Sequence, residues 1–131
     1  MTVSTEHPNI SLLQSVDLRD VSSSEGAFSE NFVWHFFNPE LPDVQGDYFG
    51  VTGLATFFEK MHGRTGGSFR VQPVSVQAIG NELVVTQVKD TMVLDDRMIE
   101  VDAIVVWRFV DGRIAEAWDI PAVHDARIVS R

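Results

Sequence analysis

The second half of the chain constrains the fold most. Four long segments, Ser68 to Ile79, Glu82 to Leu94, Met98 to Val110 and Arg113 to Ile120, are rich in β-branched and aromatic residues. Their joints are Gly80-Asn81, Asp95-Asp96 and Asp111-Gly112. Such dipeptides accept the positive φ angles of two-residue hairpin turns, whose twist matches that of the strands they join. The pattern predicts a meander of long antiparallel strands. Pro73 interrupts the first of them, and the apolar parity slips there from Phe69 and Val71 to Val74 and Val76. That slip predicts a bulge or bend at Pro73.

The first half reads differently. Residues 1–9 read as a flexible tail and 10–131 as a single domain, a usual length for one hydrophobic core. Leu12, Leu13, Val16 and Leu18 suggest a short helix, interrupted by the stretch from Val21 to Gly26. Phe32 to Phe37, closed by Asn38-Pro39, reads as a strand apolar on both faces. A loop from Pro39 to Gly50 precedes a helix at about Thr52 to His62. Thr52 would cap it, Leu54, Phe57, Phe58 and Met61 would form one stripe, and Gly63 would stop it. Helical material followed by antiparallel strands is an α+β layout. In the strands, Val101, Ala103, Val105 and Trp107 oppose Ile104 and Val106 in parity, so both sheet faces are apolar. Helices cover one face; a second copy is the simplest cover for the other, and a homodimer is expected.

Composition removes whole classes of function. Without cysteine, the chain has no disulfide scaffold, thiolate zinc site, iron–sulfur cluster or cysteine nucleophile. Ten basic against nineteen acidic residues give a net charge of −9, which repels phosphate backbones and anionic membranes, so no nucleic-acid or membrane partner is expected. The longest apolar run, Ala103 to Trp107, is far too short for a membrane span. Met1 to Asn9 has no apolar core of a signal peptide, and cytoplasmic residence is the expectation. His7, His35, His62 and His124 make no metal-ligand spacing, and there is no Gly-rich phosphate loop or Gly-x-Ser-x-Gly elbow. Neither a metal nor a cofactor is expected.

Three stretches, in order, are familiar: Val33-Trp34-His35; Gly46-Asp47-Tyr48-Phe49-Gly50, opening a helix that ends Phe57-Phe58; and the closing run from Val106-Trp107-Arg108-Phe109 to Glu116-Ala117-Trp118-Asp119. Together they resemble the SnoaL-like branch of the nuclear transport factor 2-like superfamily, which also contains ketosteroid isomerases and scytalone dehydratases. The order of elements matches from Leu12 to Pro121. The resemblance implies a cone-shaped, curved antiparallel sheet wrapped around helices, a cystatin-like α+β barrel with an apolar pocket open at one end. It also implies a small apolar or polycyclic ligand, and cofactor-independent isomerisation, cyclisation or dehydration by acid–base catalysis. A non-catalytic module that binds or sequesters a ligand in the same pocket is the alternative, and a dimerising scaffold a third.

His35 and Asp119 are the candidate catalytic residues. An imidazole titrates near neutrality and suits proton transfer. From the residues alone, the favoured reading of His35 is a core histidine satisfied by a neighbouring carbonyl or carboxylate. The resemblance places it where ketosteroid isomerases carry their general base, with Val33, His35 and Phe37 on the pocket side. Asp119 falls where SnoaL-type cyclases carry their acid–base aspartate, and burial among Trp118, Ile120 and Pro121 would raise its pKa. The ketosteroid isomerase oxyanion acid falls near Val105, which donates no hydrogen bond. Phe37, Tyr48, Phe57, Phe58, Val105 and Trp107 are the candidate substrate-binding wall. Asp102 is expected on the outer face, meeting an arginine across the dimer interface or water, while parity leaves the face of Asp90 open.

Overall fold

The computed structural model describes residues 7–129; the part of the expected tail at 1–6 lies outside the described residues. Helix α1 (Pro8–Gln14) starts within the stretch expected to be tail. His7 caps it by accepting from the Asn9 amide, and Pro8 at the first turn costs no hydrogen bond. Asn9 and Ile10 are buried, and the Asn9 side chain donates to the Asn81 carbonyl. The helix stops at Gln14, so Val16 and Leu18 pack against the core from irregular chain rather than from a continued helix.

A 3₁₀ stretch (Val21–Ala27) leads into β1 (Phe28–Phe36). A loop and the short β2 (Gly46–Phe49) precede α2 (Gly50–Arg64), which extends the expected helix by two residues at each end, with Phe49 rather than Thr52 at the cap. Of its stripe, Leu54, Phe57 and Met61 are buried in the core, with Phe58 half-buried beside them. The four strands of the meander follow as β3 (Arg70–Ile79), β4 (Leu83–Leu94), β5 (Arg97–Val110) and β6 (Arg113–Pro121), close to the expected bounds. Asp95 and Asp96 have φ of 52° and 63°, and Asp111 and Gly112 have 52° and 77°, the doubly positive pair that a tight hairpin requires. The β3–β4 register shifts between Pro73 and Ser75, so the expected bulge is present and leaves Val74 out of the ladder. A final short β7 (Arg127–Val129) pairs with β5.

The sheet is curved and unclosed, with strand order β2-β1-β6-β5-β4-β3. All neighbours are antiparallel except β1 and β6, which run parallel. Along β5, Val101, Ala103, Val105, Trp107 and Phe109 point inward to the core, while Asp102, Ile104, Val106, Arg108 and Val110 point outward. Helix α2 packs inside the curve, with Phe57 against Trp34, Phe36, Tyr48 and Phe58. This is the α+β architecture expected. Among the described residues no helix is long and apolar enough to cross a membrane.

Candidate functional site

The concave side of the sheet holds two abutting cavities. The larger, about 430 Å³, lies between the N-terminal segment (Leu13, Val16, Leu18), α2 (Phe57, Phe58) and strands β3 to β5 (Val71, Val76, Val88, Val105, Trp107). The smaller, about 280 Å³, lies between Asn38, Glu40 and Leu41 of the loop after β1, Met61 and Arg64 of α2, and the far ends of β4 and β5. Phe57, Phe69, Asp90 and Asp119 line both. The cavities therefore meet at two carboxyl groups.

Strand register sets these carboxyls on the same face of the sheet, on either side of β5. Asp90 on β4 pairs with Val101 of β5, and Asp119 on β6 pairs with Val105. Ala103 lies between them on β5, with only a methyl group to fill the space. Each aspartate is 8% exposed, and no hydrogen bond from the described residues reaches either carboxyl; Asp90 Oδ1 is sealed from solvent without any partner. Loss of hydration raises the Asp90 pKa to about 7. Burial also raises that of Asp119 well above the usual carboxylate range, and repulsion from Asp90 pushes it further. Both shifts run toward the neutral range, where a carboxyl can both give and take a proton.

His35 is not part of this site. Inward positions on β1 belong to Trp34 and Phe36; His35 points outward, which corrects its expected place in the pocket. In the parallel β1–β6 pair, Phe36 sits beside Asp119 and His35 beside Trp118, so His35 and Asp119 face opposite sides of the sheet. Its Nδ1 lies 2.7 Å from Asp47 Oδ1 and its Nε2 2.7 Å from Glu116 Oε2, with the ring stacked on Trp118. Both nitrogens donate only in the imidazolium form. Partial burial opposes that charge, but the hydrogen bonds to Asp47 and Glu116 outweigh it and raise the His35 pKa above 6.5. The histidine satisfied by carboxylates is thus the arrangement observed.

Two of the expected wall residues also lie elsewhere. Phe37 follows His35 to the outside and is 69% exposed, because outward parity carries it past the end of β1 into solvent. Tyr48 is buried but lines neither cavity; its hydroxyl donates to the Val44 carbonyl and its ring packs edge-on to Phe57. Phe57 lines both cavities, and Phe58, Val105 and Trp107 line the larger. The Trp107 indole donates to Thr86 Oγ1, which fixes the ring against the cavity wall. Asp102 faces outward, as expected, and meets Arg127 of its own chain. Among the described residues no group of three His, Asp or Glu side chains is arranged to hold a metal ion.

Comparison with known proteins agrees with this architecture. Among solved structures, TerC co-crystallised with polyporic acid superposes with a TM-score of 0.75 at 19% identity, covering 89% of this chain and 93% of that one. A SnoaL-like polyketide cyclase from Jannaschia sp. CCS1, so described on a provisional basis, gives 0.67 at 17% identity, with 95% and 92% covered. An LEH-like epoxide hydrolase of M. tuberculosis gives 0.65 at 21% identity, with 93% and 86% covered. At these identities the likeness is one of fold. No curated protein matches the chain. The sequence model of the SnoaL-like domain matches residues 11–117, from α1 through most of β6, and the chain belongs to the SnoaL-like domain family.

Proposed function

We propose that the protein is a cofactor-independent acid–base catalyst of the isomerase, cyclase or dehydratase type, acting on a small apolar molecule held in the two-lobed cavity. One observation carries this reading: two buried carboxyls with raised pKa values line both lobes of the cavity, the larger of which is walled mainly by apolar side chains. Asp119 is the proton donor and acceptor. Asp90 raises the pKa of Asp119 through repulsion, so that Asp119 can carry a proton to and from the substrate. Phe57, Phe58, Val105 and Trp107 supply the dry wall against which the substrate is oriented, and exclusion of water strengthens each electrostatic contact inside. Solved structures of the same fold described as a polyketide cyclase and an epoxide hydrolase support small-molecule chemistry in general.

The test is a screen of apolar β-hydroxy ketones and of styrene oxide, followed by nuclear magnetic resonance. Activity found there should fall about a hundredfold or more in Asp119→Asn, with the fold kept. Equal activity in wild type and variant removes the assignment. A non-catalytic ligand-binding module is the second reading. Its supporting observation is that no hydrogen-bonding group holds either carboxyl in one orientation, as a dedicated catalytic pair usually requires.

We also infer a homodimer built through the outer sheet face. Ile104 and Ile120 are cross-strand partners there and both are exposed, with Val106 and Trp118 paired beside them. A contiguous apolar strip on a sheet is what a second copy covers in an isologous contact.

A further inference from the structure

The larger cavity has an imbalance of charge. Its lining contains Asp90 and Asp119 but no lysine, arginine or histidine. Arg64, which lines only the smaller cavity, already donates to Asp43 at 3.0 Å. Neither carboxyl has a counter-charge or a bound hydrogen-bond donor among the described residues, although the lining also carries the buried, unpaired indole N–H of Trp34. Around them, Trp34 lies with its ring centroid 5.3 Å from Phe57, 6.2 Å from Phe58 and 5.6 Å from Trp107.

Three kinds of ligand meet this lining differently. A neutral apolar body displaces water from a charged pair and offers nothing in return, so it binds only if the pair first takes up a proton. A hydroxyl supplies a single donor and no charge. A carboxylate adds a third negative group to the same space. An ammonium group supplies several N–H donors and the missing charge, and its hydrogen bonds to carboxylate are of the strong, charge-assisted kind. Aromatic rings beside it add attraction through their quadrupoles while accommodating the apolar remainder. The net charge of −9 works in the same direction at long range.

We propose that the ligand of this cavity is an amine, an apolar ring or chain whose ammonium group seats between Asp90 and Asp119. This rests on the reading of the cavity as a ligand site, but not on any turnover there.

The test is calorimetric titration of the full chain at neutral pH with three probes of one skeleton: naphthylmethylamine, naphthylmethanol and naphthoic acid. The amine should bind about tenfold more tightly than the alcohol, and the acid most weakly. Asp90→Asn and Asp119→Asn should each erase most of the amine's lead while leaving the alcohol bound. Repeating the titrations in buffers of different ionisation enthalpy should show proton uptake with the alcohol but not with the amine. Alcohol binding at least as tight as amine binding overturns the proposal and leaves the cavity reading intact, provided Trp107→Ala weakens it. Amine affinity unchanged in both Asn variants also overturns it, since the cation then sits on the acidic surface. If none of the three probes binds, the cavity reading falls as well.

Discussion

Replacing Asp90 with asparagine should stabilise the protein, and the gain should depend on pH in a form set by the cavity. Asp90 ionises near 3.8 when free in water and at about 7 in the folded chain. The gap is about three units, and each unit is worth about 1.4 kcal/mol. Well below pH 3.8 the carboxyl is protonated in both states and contributes nothing. Between 3.8 and about 7 the unfolded chain sheds the proton while the folded chain keeps it, so stability falls as pH rises. Above 7 both states are ionised and the loss levels off at up to about 4 kcal/mol. Removal of Asp90 also relieves its repulsion of Asp119, which adds to the gain on the same side of the scale. Urea unfolding of wild type and Asp90→Asn from acid to mildly alkaline pH measures this. Taking the difference between the two proteins cancels the surface carboxylates that both share. The stabilities should coincide in acid, diverge through the middle of the range and run parallel above neutrality, with the variant more stable. A difference that does not change with pH, or a wild type more stable than the variant in mild alkali, refutes the account of a buried and uncompensated carboxyl.

The His35 clamp has the opposite outward appearance and the same sign. Its folded pKa is raised, so the stability it adds is complete below pH 6.5 and is lost as pH rises through the folded value; the difference between wild type and His35→Gln should shrink from about 1 kcal/mol in acid to near zero in alkali, allowing for the solvent screening of the exposed Asp47. Gly53→Ala should destabilise by about 1–3 kcal/mol in thermal unfolding, although alanine is ordinarily favoured in a helix, because the new Cβ would lie 2.9 Å from the Tyr48 carbonyl carbon. Val106→Asp should shift sedimentation from dimer to monomer without loss of helix or sheet signal, if the outer face is where two copies meet.

The fold was legible because its signals are local. Hairpin dipeptides, the helical stripe of α2 and the break at Pro73 each act within a few residues, and each strand of the meander lies where those signals put it. The site was only half legible, for a reason that lies in β1. Val33, Trp34, Phe36 and Phe37 are apolar on either side of His35, so parity alone does not say which set turns inward. The decision is made by groups far away in sequence. Asp47 and Glu116 wait on the outer face for an imidazolium, and the pairing of Phe36 with Asp119 ties the inward set of β1 to that of β6. Asp90 was ambiguous for a related reason, since it follows Lys89 in a strand of mixed polarity. Its inward turn becomes evident only from the register that sets it beside Val101 while Lys89 meets Asp102 outside. Tyr48 was visible as the only tyrosine, but the carbonyl that accepts its hydrogen bond belongs to an irregular loop with no sequence signature.

The parallel seam between β1 and β6 also orders the assembly of the molecule in time. Each of the pairings β3–β4, β4–β5 and β5–β6 closes a short turn, so little chain entropy is lost before contacts are gained. The seam that sets Trp34 beside Ala117 closes only across about eighty residues of chain. This topology predicts that the meander condenses first and that β1 docks onto it late, at the edge where Asp119 stands. Until then that carboxyl is in water and ionised. On that order, desolvation of Asp119 and its uptake of a proton fall in the closing step, and the refolding rate is expected to vary with pH.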